Sequence, residues 1–188
     1  MKILTITMIV VLVFTSFIVY APSYLFYNDS PRRSDAIILF LGNEFKERRM
    51  EVRKLIEDGY ASYLIIPAYD RVVEAERHQE ASRGAVPSRP PSYPSYYEDT
   101  HIEIIEAKRI MDKKGLNSAI FVSSPHHMRR IRIITAKVFQ KGFYQVTFVP
   151  TRFEKRKNGL WFLNGLEVKK VTGEYLKIGW FFLYYTLQ

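Results

Sequence analysis

The sequence predicts an α/β domain, three layers deep around a mainly parallel sheet, behind one transmembrane helix. Three observations predict it. The first twenty or so residues are almost uncharged. Short apolar runs then alternate with amphipathic stretches of helical period. Glycines stand where those stretches stop. Strands that alternate with helices favour a parallel sheet covered on both faces.

The opening stretch ILTITMIVVLVFTSFIVYA (3–21) carries no charge. At about 1.5 Å per residue it reaches roughly 28 Å, close to the ~30 Å hydrocarbon core of a bilayer. No face of it is polar, which argues against a buried soluble helix. Val19-Tyr20-Ala21 imitates a signal-peptidase site, but Pro22 follows directly. An uncleaved anchor over residues 1–21 is therefore expected, with a linker over 22–34. Lys2 and the Arg32/Arg33 pair point opposite ways under the positive-inside rule.

From Asp35 the pattern changes. AIILFL (36–41) reads as a strand buried on both faces and is broken by Gly42-Asn43. Residues 44–58 form an amphipathic helix stopped by Gly59. SYLIIP (62–67) is a second strand. Residues 76–98 carry four prolines and read as a long loop. A helix over 99–114 stops at Gly115, and a third strand covers 117–124. A helix over 126–141 stops at Gly142, and a fourth strand covers 144–150. Residues 151–163 are basic and irregular, with a short strand expected at 160–163. The region 165–186 ends in an apolar helix over 173–185. Glu174 and Lys177 inside it make a core or membrane-surface helix a better reading than a second span.

Composition removes several chemistries. The chain has no cysteine, so disulfides, a thiolate nucleophile, a Cys-bound metal and a lipoprotein anchor are excluded. Net charge is +9, and residues 129–170 alone hold 11 Lys/Arg against 2 Asp/Glu. Such a surface attracts anions. A nucleic-acid partner is not expected of an anchored domain if it lies outside the cytoplasm.

In open α/β sheets ligands bind at the carboxyl ends of the strands. The richest of those ends is SSPHHMRR (123–130). Ser124 before Pro125 fits a helix N-cap with proline at the first helical position. The free N–H groups of the helix that follows favour an anion. His127, Ile131, Ile134 and Val138 share one stripe, which faces the core, with Arg130 on the next row. His126 and Arg129 then face solvent. Ser123, Ser124, His127 and Arg130 thus become candidates. The next helix repeats the arrangement: Ile104, Ala107 and Met111 form its apolar row, with Thr100 and Glu103 at its start. Thr100 and Glu103 also fit a capping box. Arg48 stands one turn past Gly42-Asn43, within reach of a phosphate there. Adjacent His126 and His127 point apart, so no metal site is expected. Ser123 and Ser124 lack the G-x-S-x-G elbow of a serine hydrolase. Gly42-Asn43 is too slight for a dinucleotide fingerprint. The sequence names no cofactor.

These motifs, in this order, resemble the YdcF/SanA/ElyC family (domain of unknown function 218). DAIILFLGN (35–43) resembles its opening strand, and Arg48, Leu55 and Gly59 its first helix. DTHIEIIEA (99–107) is similar to its N-T-x-E-N-A start. FVSSPHHMRR (121–130) resembles V-T-S-x-Y-H-M-x-R, and GEYLKIGWFFLYY its H-E-Y-L helix. The family's S-G-G is here Pro67-Ala68-Tyr69, and the Asn of its Thr motif falls at Glu103. The resemblance covers about 35–186 and implies a Rossmann-like fold. It also implies a bacterial inner-membrane protein, single-pass, with its soluble domain on the periplasmic side. Such a protein would serve envelope biogenesis by binding, or binding and acting on, a phosphorylated small molecule or lipid carrier. His127 would transfer a proton, and Glu103 would orient it or hold a cation. Gly42, Asn43, Arg48, Thr100, Ser123, Ser124 and Arg130 would line the ligand site. The alternative is a non-catalytic module that binds a nucleotide-like ligand or regulates the envelope.

Overall fold

Alternating apolar residues of two central strands sort the core into two sheets of side chains. Ala36 and Ile38 point to one face with Ala119 and Phe121, while Ile37 and Leu39 point to the other with Ile120 and Val122. The computed structural model describes residues 2–42, 44–74, 100–139, 142–154 and 160–186. The proline-rich stretch expected at 76–98 lies outside them, as does Asn43.

The order is α1 (Lys2–Leu25), β1 (Ser34–Leu39), α2 (Phe45–Glu57), β2 (Ala61–Ile66), β3 (Arg71–Glu74), α3 (Thr100–Lys114), β4 (Ser118–Ser123), α4 (Met128–Val138), β5 (Gln145–Pro150) and α5 (Gly165–Thr186). The strands form one sheet in the order β3-β2-β1-β4-β5. β1 runs parallel to β2 and β4, and β4 parallel to β5; β3 alone is antiparallel. The sheet is thus mixed and mostly parallel. α2 covers one face through Val52 and Leu55. α3 and α4 cover the other through Ile104, Met111, Ile131 and Ile134, joined there by Phe181 of α5.

Several features differ from expectation. β3 follows β2 as a hairpin partner because a 3-10 turn at Pro67–Tyr69 ends on Asp70 in the left-handed region, φ 47°. Asp tolerates that conformation better than most residues. The strand expected at 160–163 is instead a 3-10 turn, Trp161–Leu163. α5 starts at Gly165, not at 173, and Asn164 caps it by accepting from the N–H groups of Leu166 and Glu167.

α1 is long and apolar enough to cross a membrane. Its side chains from Leu4 to Val13 are exposed. The stretch 22–34, expected as a linker, continues α1 to Leu25 and then runs beside β5. There the Asp29 N–H donates to the Phe148 carbonyl at 2.8 Å, and the Asp29 carboxylate accepts from the Phe148 N–H.

Candidate functional site

β1 and β4 are neighbours, so their carboxyl ends deliver Phe40–Gly42 and Ser123–Ser124 to one place. α3 begins there with Thr100, and α5 crosses above. Between them lies a cleft of about 840 Å³. Gly42, Arg48, Thr100, Glu103, Ser123, His127 and Arg130 all line it. Ser124 sits just beneath.

Arg48 is 2 % exposed. Its Nε donates to Ser124 Oγ at 3.1 Å, and its Nη1 to the carbonyls of Phe40 at 3.1 Å and Leu41 at 2.5 Å. Burial lowers its pKa, against Glu44, Glu154 and Glu103. Arg48 therefore buckles the β1 turn to the β4 turn, where the sequence suggested a phosphate ligand. Gly42 has φ 149°, and a Cβ there would lie 2.8 Å from Arg48 Nη2. The glycine is required by both the backbone and the guanidinium.

Ser124 does not cap a helix through its side chain. Its hydroxyl is held by Arg48, and Pro125–His127 form a 3-10 turn before α4 begins at Met128. That tighter turn shifts the phase of His126. His127 keeps its expected place, above Ile131 and Ile134. His126 does not face solvent: it is buried edge-on against Phe26, with Nε2 3.4 Å from Glu167. Burial lowers the pKa of His126 against the pull of Glu154 and Glu167. Arg129 is likewise engaged. Its guanidinium stacks on Tyr24 and Tyr27, and its Nε donates to the Tyr24 carbonyl at 2.7 Å.

The centre of the cleft is a residue the sequence noted only as a charge in an apolar helix. Glu174 is 1 % exposed. Its Oε2 accepts from Arg130 Nε at 2.7 Å, and its Oε1 from Arg130 Nη2 at 3.1 Å. Oε1 also lies 3.0 Å from His127 Nδ1 and accepts from Lys177 Nζ at 3.2 Å. Arg130 Nη1 donates to the Thr100 hydroxyl. Burial alone would raise the pKa of Glu174, but His127 and Arg130 outweigh it and hold it well below the carboxylate range. Burial lowers the pKa of His127; Glu174 opposes this, while Arg48 and Arg130 reinforce it. The neutral imidazole then carries its proton on Nδ1, facing the carboxylate, and leaves Nε2 as the basic nitrogen. Glu174, not Glu103, orients His127. Thr100 is the first residue of α3 and its hydroxyl oxygen accepts from Arg130, and Glu103 is buried at the cleft wall near Arg48.

Ser123 Oγ is 1 % exposed at the residue level and has no hydrogen-bond partner among the described residues. Buried hydroxyls rarely stay so. Lys169, Lys170 and Lys177 stand at the rim with Glu44 and Glu167, so the lining carries both signs of charge. Among the described residues, no group of three His, Asp or Glu could hold a metal ion. A second, apolar cavity of about 460 Å³ adjoins the first. It is walled by Ile134, Leu176, Trp180 and Tyr184 and shares Thr100, Arg130 and Lys177 with the cleft.

Glu51 is a further residue the sequence did not single out. It is fully buried in α2 and accepts from Arg152 Nε, Nη2 and backbone N–H, which pins the segment after β5. No family model matches the chain, and no curated protein or solved structure does.

Proposed function

We propose that this protein is a membrane-anchored envelope-biogenesis factor, similar to the YdcF/SanA/ElyC family, with a Rossmann-like domain. The domain binds a phosphorylated ligand in the cleft and acts on it by proton transfer through His127. The observation that carries the reading is the His127–Glu174 pair, which shares the cleft with a Ser123 hydroxyl that has no partner among the described residues. A neutral imidazole whose Nδ1 proton is held by a buried carboxylate is oriented for general base or acid work. Ser123 supplies a buried donor for a ligand oxygen, and the rim lysines attract anions. The adjoining apolar cavity supports a ligand with an apolar arm, such as a lipid-linked phosphate. The proposed location is the bacterial inner membrane, with the domain on the periplasmic side.

A second reading has its own support. Arg48 and Arg130 donate to protein acceptors, as pins would. A cleft so built suits a non-catalytic module for a nucleotide-like ligand.

The test uses the full chain in detergent micelles, with inorganic phosphate, nucleotides and a short prenyl phosphate as probes. A thermal shift that Ser123→Ala weakens supports the site. Turnover of the shifting ligand, lost in His127→Gln, supports the enzyme. A shift without turnover supports the binding module. No shift with any probe rejects both.

A further inference from the structure

α1 is bonded to the domain at a definite height. Pro22 has no N–H, so the Ile18 carbonyl, four residues earlier, lacks its helical donor. The indole N–H of Trp161 supplies one, at 2.8 Å. The Tyr175 hydroxyl donates to the Ala21 carbonyl at 2.9 Å, and Arg129 to the Tyr24 carbonyl. Ala21 and Leu25 pack on Val171. Residues 18–25 are thus held against the domain.

The uncharged residues 3–17 precede that clasp. At ~1.5 Å per residue they reach about 22 Å, some 8 Å short of a ~30 Å hydrocarbon core. The missing length falls on the two turns that lie against the domain, so a spanning α1 brings the neighbouring part of the domain to the lipid boundary.

That part can be identified. Trp161 meets Ile18, and farther along α5 Tyr175 meets Ala21 and stacks on Tyr24. α1 and α5 therefore run in the same sense here, and the membrane-ward end of α5 is its N-terminus with the turn before it. This end carries Leu160 at 59 %, Leu163 at 75 % and Leu166 at 67 % exposure, together with exposed Phe162. Four large apolar side chains stand open at the one level where the anchor runs out of length.

We propose that residues 160–166 are a second membrane contact, seated in the headgroup–acyl boundary of the bilayer beside α1. Interfacial segments sit about 5–10 Å into that boundary, which matches the missing length. Trp161 suits the same depth, where tryptophan is enriched. Exposed Lys169, in the next turn, then meets the headgroups. Leu166, Lys169 and Lys170 also line the cleft, so its mouth opens beside the lipid surface. The inference rests on α1 spanning the membrane.

The chain has no cysteine, so single-cysteine nitroxide labels can be read in the full-length protein. The sites are Leu163→Cys, Phe14→Cys in α1 and Leu183→Cys at the far end of α5, all exposed. The protein is reconstituted in phosphatidylcholine–phosphatidylglycerol vesicles. Power saturation then compares accessibility to oxygen, which partitions into lipid, and to an aqueous nickel chelate. We expect Phe14→Cys to report a deep site and Leu163→Cys a shallow lipid site. The oxygen-to-nickel ratio at Leu163→Cys should be several times that of Leu183→Cys, which stays aqueous. A deep Phe14→Cys with an aqueous Leu163→Cys overturns the second contact and leaves the anchor standing. An aqueous Phe14→Cys overturns the anchor, and the second contact with it.

Discussion

His127 Nδ1 and Glu174 Oε1 lie 3.0 Å apart, and the carboxylate that faces the imidazole is the one that also grips Arg130. One anion therefore sets the tautomer of the histidine and balances the charge of the arginine. The two roles separate under titration.

Glu174 is held well below its ordinary pKa of 4.5. A depressed carboxylate contributes stability that is full above its unfolded pKa and lost as pH falls through the folded one. We expect Glu174→Gln to destabilise the protein by about 3 kcal/mol at neutral pH, because Arg130 keeps a buried charge without its partner. The gap to wild type should narrow steadily as pH falls below that 4.5. Urea unfolding across that range is the check. A gap that does not change with pH would mean the carboxylate is not the group at work.

The same substitution moves the histidine. Glu174 stabilises the imidazolium, so its removal lowers the His127 pKa further. The acid limb of any His127-dependent activity should then lie below the ordinary 6.5 in wild type and shift lower still in Glu174→Gln, with reduced kcat. Side-chain 15N chemical shifts of His127 measure both steps directly. An upward shift would contradict the geometry.

Gly42 and Arg48 form a second pair. Alanine at 42 would meet the guanidinium at 2.8 Å in a backbone conformation that L side chains rarely adopt. We expect Gly42→Ala to cost about 1–3 kcal/mol. Arg48→Lys should cost a similar amount, since an ammonium does not reproduce the fork that reaches Ser124, Phe40 and Leu41. The Gly42→Ala/Arg48→Lys double variant should cost less than the sum, because the shorter head relieves the clash. Equilibrium unfolding of the three variants decides it.

Much of this was legible in the sequence. Strand ends could be found from apolar runs, and a helical stripe put His127, Thr100 and Glu103 at the right mouth. Glu174 escaped because its role depends on where α5 crosses the sheet. No local period carries that, and its partner Arg130 is 44 residues away. Its legible trace was a lone acid in an apolar helix, which is costly unless paired. His126 departs from its solvent-facing expectation because Pro125 opens a 3-10 turn, where a 3.6-residue count fails. Trp161 departs from the strand expected at 160–163, and its indole answers a carbonyl left open by Pro22, 139 positions upstream in the chain.

That last link can be isolated. Trp161→Phe removes the donor to Ile18, and Pro22→Ala restores a helical one. We expect Trp161→Phe to lower stability by about 1 kcal/mol in the wild-type chain and by much less in the Pro22→Ala chain. Thermal unfolding of the four proteins in micelles gives the coupling. Equal losses in both backgrounds would mean the indole acts through packing alone.

A domain clasped to its anchor has no swivel. A flexible tether lets its cargo sample a hemisphere, and local concentration is spread thinly through that volume. Here Trp161, Tyr175 and Arg129 take the last two turns of α1 out of that motion. On the proposal that α1 spans the bilayer, the cleft is confined to a thin slab parallel to it. Its encounters become a two-dimensional search, frequent for molecules that ride at the same height and rare for those that diffuse above it.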